Sequence, residues 1–441
     1  MNCKKYYTQN WQLPKIDCAQ VLLKSDKYSG QRFFWQTPDD KEVLLGLGYL
    51  LTFEGLDYLK LECVKERLKK EWCAINAQAT PLLFGGFCFD KLAKKEEFWQ
   101  EMLHGMFVWP KILFKQTDAK CELCLTVQAK ELDEAKEKLA KLYDEVKDLI
   151  APLISVKLKK AYQGQLKASM RDKEEWLLAA KETIGLLNSQ EKLRKVVLAR
   201  CQDVYAQKFY SEQLLINLLS QQPNTYRFML ESQTRFFIGA TPERLLKADG
   251  ENFQTASVAG TFVKATDPKE NERLIAALLA DPKNTVEHQI VVERICHDLA
   301  QVASDIQVSD REVLQNQNLQ HLFLTIKGKR KPAASFLEAL KHLHPTPALG
   351  GEPKQLALEW IRKVEPMGRG MYGAPVGWLD LQNDSGEFSV AIRSGVFTRK
   401  QQENYGLLYA GCGIIAASVA ESELAETAAK FTPMKRGIEG K

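Results

Sequence analysis

The chain has 441 residues, 45% of them hydrophobic, more than enough to bury a large core. Its 61 basic and 56 acidic residues leave a net charge of +5, spread along the chain rather than gathered in a tail. That balance gives no reason to expect a nucleic-acid partner, but it leaves room for a local basic site that takes a small anion.

No secretory leader is visible at the start. The most apolar run, Val43 to Phe53, is too short to span a bilayer and is broken by Gly46 and Gly48, so no membrane association is expected. It reads as a buried strand, as does Pro81 to Asp90. Ten cysteines scattered through apolar surroundings point to reduced thiols and a cytoplasmic protein. Cys121 and Cys124 form a lone CxxC within the strand-like CELCLTV. An odd separation on a strand sends them to opposite faces, which argues against a shared metal. Leu132 to Ile150 reads as a helix, with Leu132, Ala135, Leu139, Leu142, Val146 and Leu149 at helical spacing. Ser169 to Ser189 reads as a second, with Trp176, Ala180, Ile184 and Leu187 on one stripe.

From Leu193 onward β-rich runs dominate: Lys195 to Ala206, Tyr226 to Leu230, Arg235 to Gly239, Phe388 to Phe397 and Leu407 to Ile415, with a helix from Asn284 to Val302 between them. Short polar turns between neighbouring runs favour antiparallel pairing. The expected fold class is therefore α+β, a large antiparallel sheet core with helices packed outside. A division into residues 1–165 and 166–441 is expected, although no flexible linker marks it. A core this large suits a monomer.

Several polar residues fall where the apolar pattern makes them costly. Glu287 shares a helix face with Val291 and Ile295; its bland reading is a first-turn carboxylate near solvent. Lys195 opens the strand KVVLAR, and burial with a neighbouring cation would push it toward a neutral, proton-accepting form. Glu243 follows a strand end in FFIGATPERLL, and His321 sits in the apolar LQHLFLTI, where a hydrogen-bonded core histidine is the plain reading. Arg393, in the apolar run FSVAIRSGVF, needs a counter-anion. Near the end of the sequence, Gly411-Cys412-Gly413 closes a strand where backbone N–H groups can approach an anion. Ser418 and Glu421 read as a capping box for a helix starting at Val419, which carries Glu423, Glu426 and Lys430 on one face. An anion site beside paired carboxylates suggests a bridging Mg²⁺.

Taken in order, KVVLAR, FIGATPERLL, TASVAGT, DPKNTVEH, LQHLFLTI, HPTPALGG, EPMGRGMYGAPVG, VAIRSGVF and LYAGCGII followed by SxxxxExxET resemble the chorismate-utilising enzymes: anthranilate, aminodeoxychorismate, salicylate and isochorismate synthases. The match runs over residues 195–430 and makes the second region the chorismate-binding, catalytic one. The resemblance implies that Glu287 and Glu426 hold Mg²⁺ with support from Glu423, and that Gly411, Cys412 and Gly413 bind the ring carboxylate of chorismate. It places Tyr372 and Arg393 on the enolpyruvyl carboxylate, with His321, Gly260, Thr261 and Lys430 lining the substrate site. Lys195 stands where the family members that use water carry lysine, which implies a base for water at C2, with Glu243 as the acid at C4. Ala348 stands where pyruvate-eliminating members commonly carry threonine. The expected reaction is chorismate to isochorismate, feeding menaquinone synthesis. The rivals are a salicylate synthase, a siderophore-pathway isochorismate synthase and an ammonia-using synthase.

Overall fold

The central strands of this protein are apolar on both faces, so the sheet they form has to be covered on both sides. The strand Lys195–Tyr205 is buried at every residue but its last, and Tyr226–Glu231, Arg235–Thr241, Leu82–Phe87 and Pro375–Asp380 are buried throughout. The computed structural model describes residues 5–76, 79–151, 160–171, 173–190, 192–315, 319–399 and 405–440, without the side chains of Thr261 and Lys283.

Among the described residues Tyr162–Gln163 and Lys208–Phe209 form a separate pair, and the other strands join into one continuous network. It is antiparallel except where Tyr6–Thr8 runs alongside Trp72–Ala74. An inner core of strand residues, including Phe33, Trp35, Phe84, Phe228 and Tyr409, lies between sheet faces. Two outer cores form where helices close over the sheet. One is covered by Lys173–Ser189, Pro282–Leu299, Phe336–Leu343 and Lys354–Val364; the other by Leu132–Ile150, Ser211–Gln221 and Thr432–Glu439. The α+β architecture read from the sequence is therefore observed. Cys121 and Cys124 do point to different faces, the first into an outer core and the second into the inner one. Among the described residues no helix is long and apolar enough to cross a membrane.

Three local expectations are corrected. The helix expected from Ser169 begins at Lys173, because Lys167–Met170 pairs as a strand with Gln202–Tyr205. The run Phe388 to Phe397 is two strands, Gly386–Val390 and Ser394–Thr398, broken where Arg393 takes a left-handed backbone conformation (φ 51°). Ser418 does not cap the helix Ala420–Lys430. Its hydroxyl accepts instead from Ile415 N at 3.2 Å and closes the preceding turn, while Glu421 pairs with Lys181 at 2.8 Å.

The sheet crosses residue 165 without a seam. Arg32–Gln36 pairs with Tyr226–Glu231, and Leu82–Phe87 pairs with Pro375–Asp380. A buried ion cluster locks the first of these junctions. Glu231, fully buried, accepts from Arg32 Nε at 2.9 Å and Nη2 at 2.8 Å, and Arg399 Nη1 lies 2.8 Å away. Burial opposes ionisation of Glu231, but the two guanidinium groups and Ser211 more than offset it and hold the carboxyl below its ordinary range. Removing one partner of such a cluster strands the remaining charges. Glu231→Ala should therefore destabilise the whole chain by about 3–5 kcal/mol, read from the midpoint of urea denaturation.

Candidate active site

The floor of the site is a strand pair: Lys195–Tyr205 lies antiparallel to Tyr405–Ile414, with Val197 opposite Gly413, Leu198 opposite Cys412 and Ala199 opposite Gly411. Val197 N donates to Gly350 O at 2.9 Å and Ala199 N to Glu365 Oε1 at 2.7 Å, so both residues turn their backbone groups away from the glycine strand. By alternation it is Leu198 that exchanges hydrogen bonds with Cys412. The Cys412 N–H is thus committed to the ladder, whereas the N–H groups of Gly411 and Gly413 face the opposite edge. On that edge Ser394–Thr398 pairs only as far as Leu408, and Gly411 O accepts from Lys430 Nζ at 2.9 Å.

Gly413 permits the closest approach in the site. A Cβ there would overlap Glu287 Oε1 and lie 2.7 Å from Lys195 Cε. Lys195 is buried, as the reading of it as a base required. Its charged neighbour is a carboxylate rather than the expected cation: Glu287 Oε1 is 2.8 Å from Nζ. Glu287 comes from the helix Pro282–Leu299, which starts at Pro282 because Asp281 caps it by accepting from Asn284 N. Across the cavity lining, Lys430 Nζ lies 2.6 Å from Glu426 Oε1, one turn apart on Ala420–Lys430. Glu287, Glu426 and Lys430 line the cavity, together with Ala348; Lys195 does not, and Glu423 is buried away from it. The Thr261 side chain lies outside the described residues.

The remaining polar groups are buried with their protonation states fixed by their surroundings. Glu243, just past the strand Arg235–Thr241, is held by its carbonyl, which accepts from Val390 N at 3.0 Å. Burial pushes its carboxyl up to about 8, with Lys195, Lys430 and Arg393 only partly opposing the shift. His321 Nδ1 lies 3.0 Å from Gly260 O, and since a carbonyl only accepts, Nδ1 carries the proton. Its Nε2 then faces Arg393 Nη2 at 3.4 Å as an acceptor. Burial, reinforced by Arg393, lowers this imidazole to about 3, so it is neutral. Gly260 sits in a bulge between Ala259 and Phe262 with φ +66°, a conformation glycine adopts without strain.

Arg393 is an imbalance that bears directly on the cavity. It is buried, Nη1 has no hydrogen-bond partner, and among the described residues no carboxylate lies within 4.0 Å of its guanidinium. Burial brings it down to about 10. A buried cation without a counter-anion, lining a cavity, is a site for a ligand's carboxylate. Tyr372, whose hydroxyl burial raises well above its ordinary value, lines the same cavity and stacks on Tyr409 at 5.1 Å.

Two residues that frame the site were not singled out from the sequence. Arg369, also lining the cavity, bonds Glu365 Oε2 at 3.0 Å, Val197 O at 2.7 Å and Leu349 O at 2.8 Å, so it ties the lysine strand to the segment bearing Ala348. Arg200 donates to Thr427 Oγ1 at 2.7 Å and Leu424 O at 3.1 Å, which fixes the Glu426 helix onto the same strand. The signal for Arg200 was available: a cation within an apolar strand needs acceptors, as Arg393 does.

Among the described residues no cluster of three or more histidine, cysteine or acidic side chains forms a complete metal cage. Two carboxylates on a cavity with an open backbone edge suit instead a hard cation that takes its other ligands from water and a bound anion. The cradle under Glu287, which any Cβ on Gly413 would fill, is consistent with that use.

Comparison with known proteins agrees with this geometry. The family model described as "Chorismate binding enzyme" matches residues 1–439. The chain is 34% identical over 429 residues to the isochorismate synthase MenF of Bacillus subtilis (strain 168), covering 94% of this chain and 89% of that one. It is 29% identical to the salicylate biosynthesis isochorismate synthase of Pseudomonas aeruginosa, covering 97% and 89%. Its fold resembles that of MenF, the menaquinone-specific isochorismate synthase from Escherichia coli, with a TM-score of 0.81 and 24% identity over 98% of this chain and 94% of that one. A matched family model spanning nearly every residue and a full-length relative above 30% identity lead to one assignment: this chain belongs to the chorismate-binding enzyme family.

Proposed function

We propose that this chain is an isochorismate synthase, converting chorismate to isochorismate for menaquinone synthesis. The observation that carries this reading is a buried, protonated carboxyl on the cavity wall, Glu243, together with a buried lysine just beneath the cavity floor, Lys195, which is held there by Glu287. Such a pair can take a proton from a water attacking one carbon of the substrate and deliver one to the hydroxyl leaving another.

Chorismate is a dianion, and the cavity offers a place for each charge. The uncompensated Arg393, with Tyr372 beside it, takes the enolpyruvyl carboxylate; neutral His321 holds the guanidinium in place by accepting from Nη2. The open N–H groups of Gly411 and Gly413 take the ring carboxylate. Glu287 and Glu426, with Glu423 behind them, would hold Mg²⁺, which when bound neutralises the ring carboxylate and supplies electrostatic stabilisation. Lys195, in its neutral form, accepts a proton from the water whose oxygen bonds to C2. Glu243 gives its proton to the C4 hydroxyl, which leaves as water. One water is added and one lost, so the reaction is an isomerisation. It leaves Lys195 protonated and Glu243 ionised, and a proton returning from lysine to carboxylate through solvent resets the site. The small Ala348 at the cavity wall gives no hydroxyl that could orient the enolpyruvyl group for elimination.

Incubation with chorismate and Mg²⁺ should give isochorismate, separated by chromatography, at equilibrium with the substrate. Salicylate plus pyruvate as the main products, or an aminated product on adding ammonium, would replace this reading with one of its rivals. Glu243 provides a second check. Its carboxyl is protonated in the free enzyme up to about pH 8, so kcat/KM should decline as pH rises through that value. Glu243→Gln keeps the shape without the transferable proton. It should lower kcat by about 10²–10⁴-fold and abolish the alkaline limb, with substrate binding retained.

A further inference from the structure

Each carboxylate assigned above to the cation already holds an ammonium group of the same chain. Glu287 Oε1 is 2.8 Å from Lys195 Nζ, and Glu426 Oε1 is 2.6 Å from Lys430 Nζ. The first pair is nearly closed to solvent, with side-chain exposures of 1% and 12%, and the second is more open, at 14% and 26%. The order of the first pair is informative. Glu287 is on the cavity lining and Lys195 is not, so of the two it is the carboxylate that faces the space the substrate would fill. Gly413 leaves room for this arrangement and for no side chain of its own.

We propose that Lys195 and Lys430 are internal placeholders for the divalent cation, each occupying a ligand carboxylate in its absence and competing with it on arrival. This rests on the assignment of Glu287 and Glu426 as cation ligands. A carboxylate cannot serve an ammonium and a dication at once without placing their like charges side by side. Without the lysine, Glu287 would lose the ammonium that balances its nearly buried charge, so the pair stabilises the cation-free protein. When Glu287 turns to the cation it leaves Lys195, and the lysine gains its opening to the cavity. Cation entry and exposure of Lys195 to the substrate are then one event. Lys195 and Lys430 act here on the cation through the glutamates, as positioning residues.

The test is the affinity of the full-length protein for Mn²⁺ alone, without substrate, read from the electron paramagnetic resonance signal of the free ion. A carboxylate available only part of the time weakens binding by that fraction, so Lys195→Met and Lys430→Met should each bind Mn²⁺ about tenfold more tightly than wild type. Lys195→Arg keeps the competing charge and should stay within about twofold of wild type. Structural damage would weaken binding, not tighten it. Should Lys195→Met fail to fold, Lys430→Met reads the same competition at the more open pair. Equal or weaker binding in the folded methionine variants overturns the proposal. Glu287→Gln and Glu426→Gln separate the two levels. If they weaken Mn²⁺ binding while the lysine variants change nothing, only the competition fails. If they leave it unchanged, the cation is held elsewhere and both readings fall.

Discussion

The absence of a side chain at Gly413 is the constraint on which the site depends. Three elements converge there: the strand bearing Lys195, the strand bearing the glycines and the helix bearing Glu287. Even a methyl group would occupy the space of the Lys195–Glu287 pair. The antiparallel register then fixes the rest, because it decides which backbone groups remain open. Gly411 and Gly413 present their N–H groups on the unpaired edge, while the intervening Cys412 is held in the ladder. Arg369 and Arg200 extend this rigidity outward by fastening the Ala348 segment and the Glu426 helix to the lysine strand.

Around that floor, burial sorts the polar groups into neutral and charged. Glu243 keeps its proton and His321 stays uncharged, whereas Arg393 remains a cation that no carboxylate among the described residues approaches within 4.0 Å. The same loss of water that makes Arg393 costly makes Glu243 a competent acid near neutral pH. In the proposed reaction one physical cause thus serves both recognition of an anion and delivery of a proton. The disposition suits a substrate that brings two negative charges and surrenders a hydroxyl.

Much of this was legible in the sequence, and unevenly so. The helix Leu132–Ile150 was readable to the residue, since its apolar positions repeat without interruption. Strand runs were readable because they are apolar and bounded by turns. What failed was local inference about non-local partners. Ser169 and Met170 looked like the start of a helix because the pairing of Lys167–Met170 with Gln202–Tyr205 lies far along the chain, and Ser418 looked like a cap because its true acceptor role serves the turn before it. Spacing alone gave Glu287 no better role than a helix-start carboxylate. Its position became meaningful through resemblance to a family, and then through the register that sets Gly413 beneath it. Arg369 went unread because a motif around glycines conveys no periodicity, and its bonds reach three separate segments.

The way the sheet is threaded has a consequence for how the protein is made. The strand Tyr405–Ile414 lies along Val196–Tyr205, and early strands such as Leu82–Phe87 take partners from residues beyond 370. Contacts so distant in sequence form slowly and only once both partners exist. On the ribosome, then, most of the chain must wait, with apolar strand edges unpaired, until residues 405–414 emerge. A translation product stopped before that point would leave Lys195 without its floor and the sheet with sticky edges, a substrate for chaperones and proteases rather than a partial enzyme.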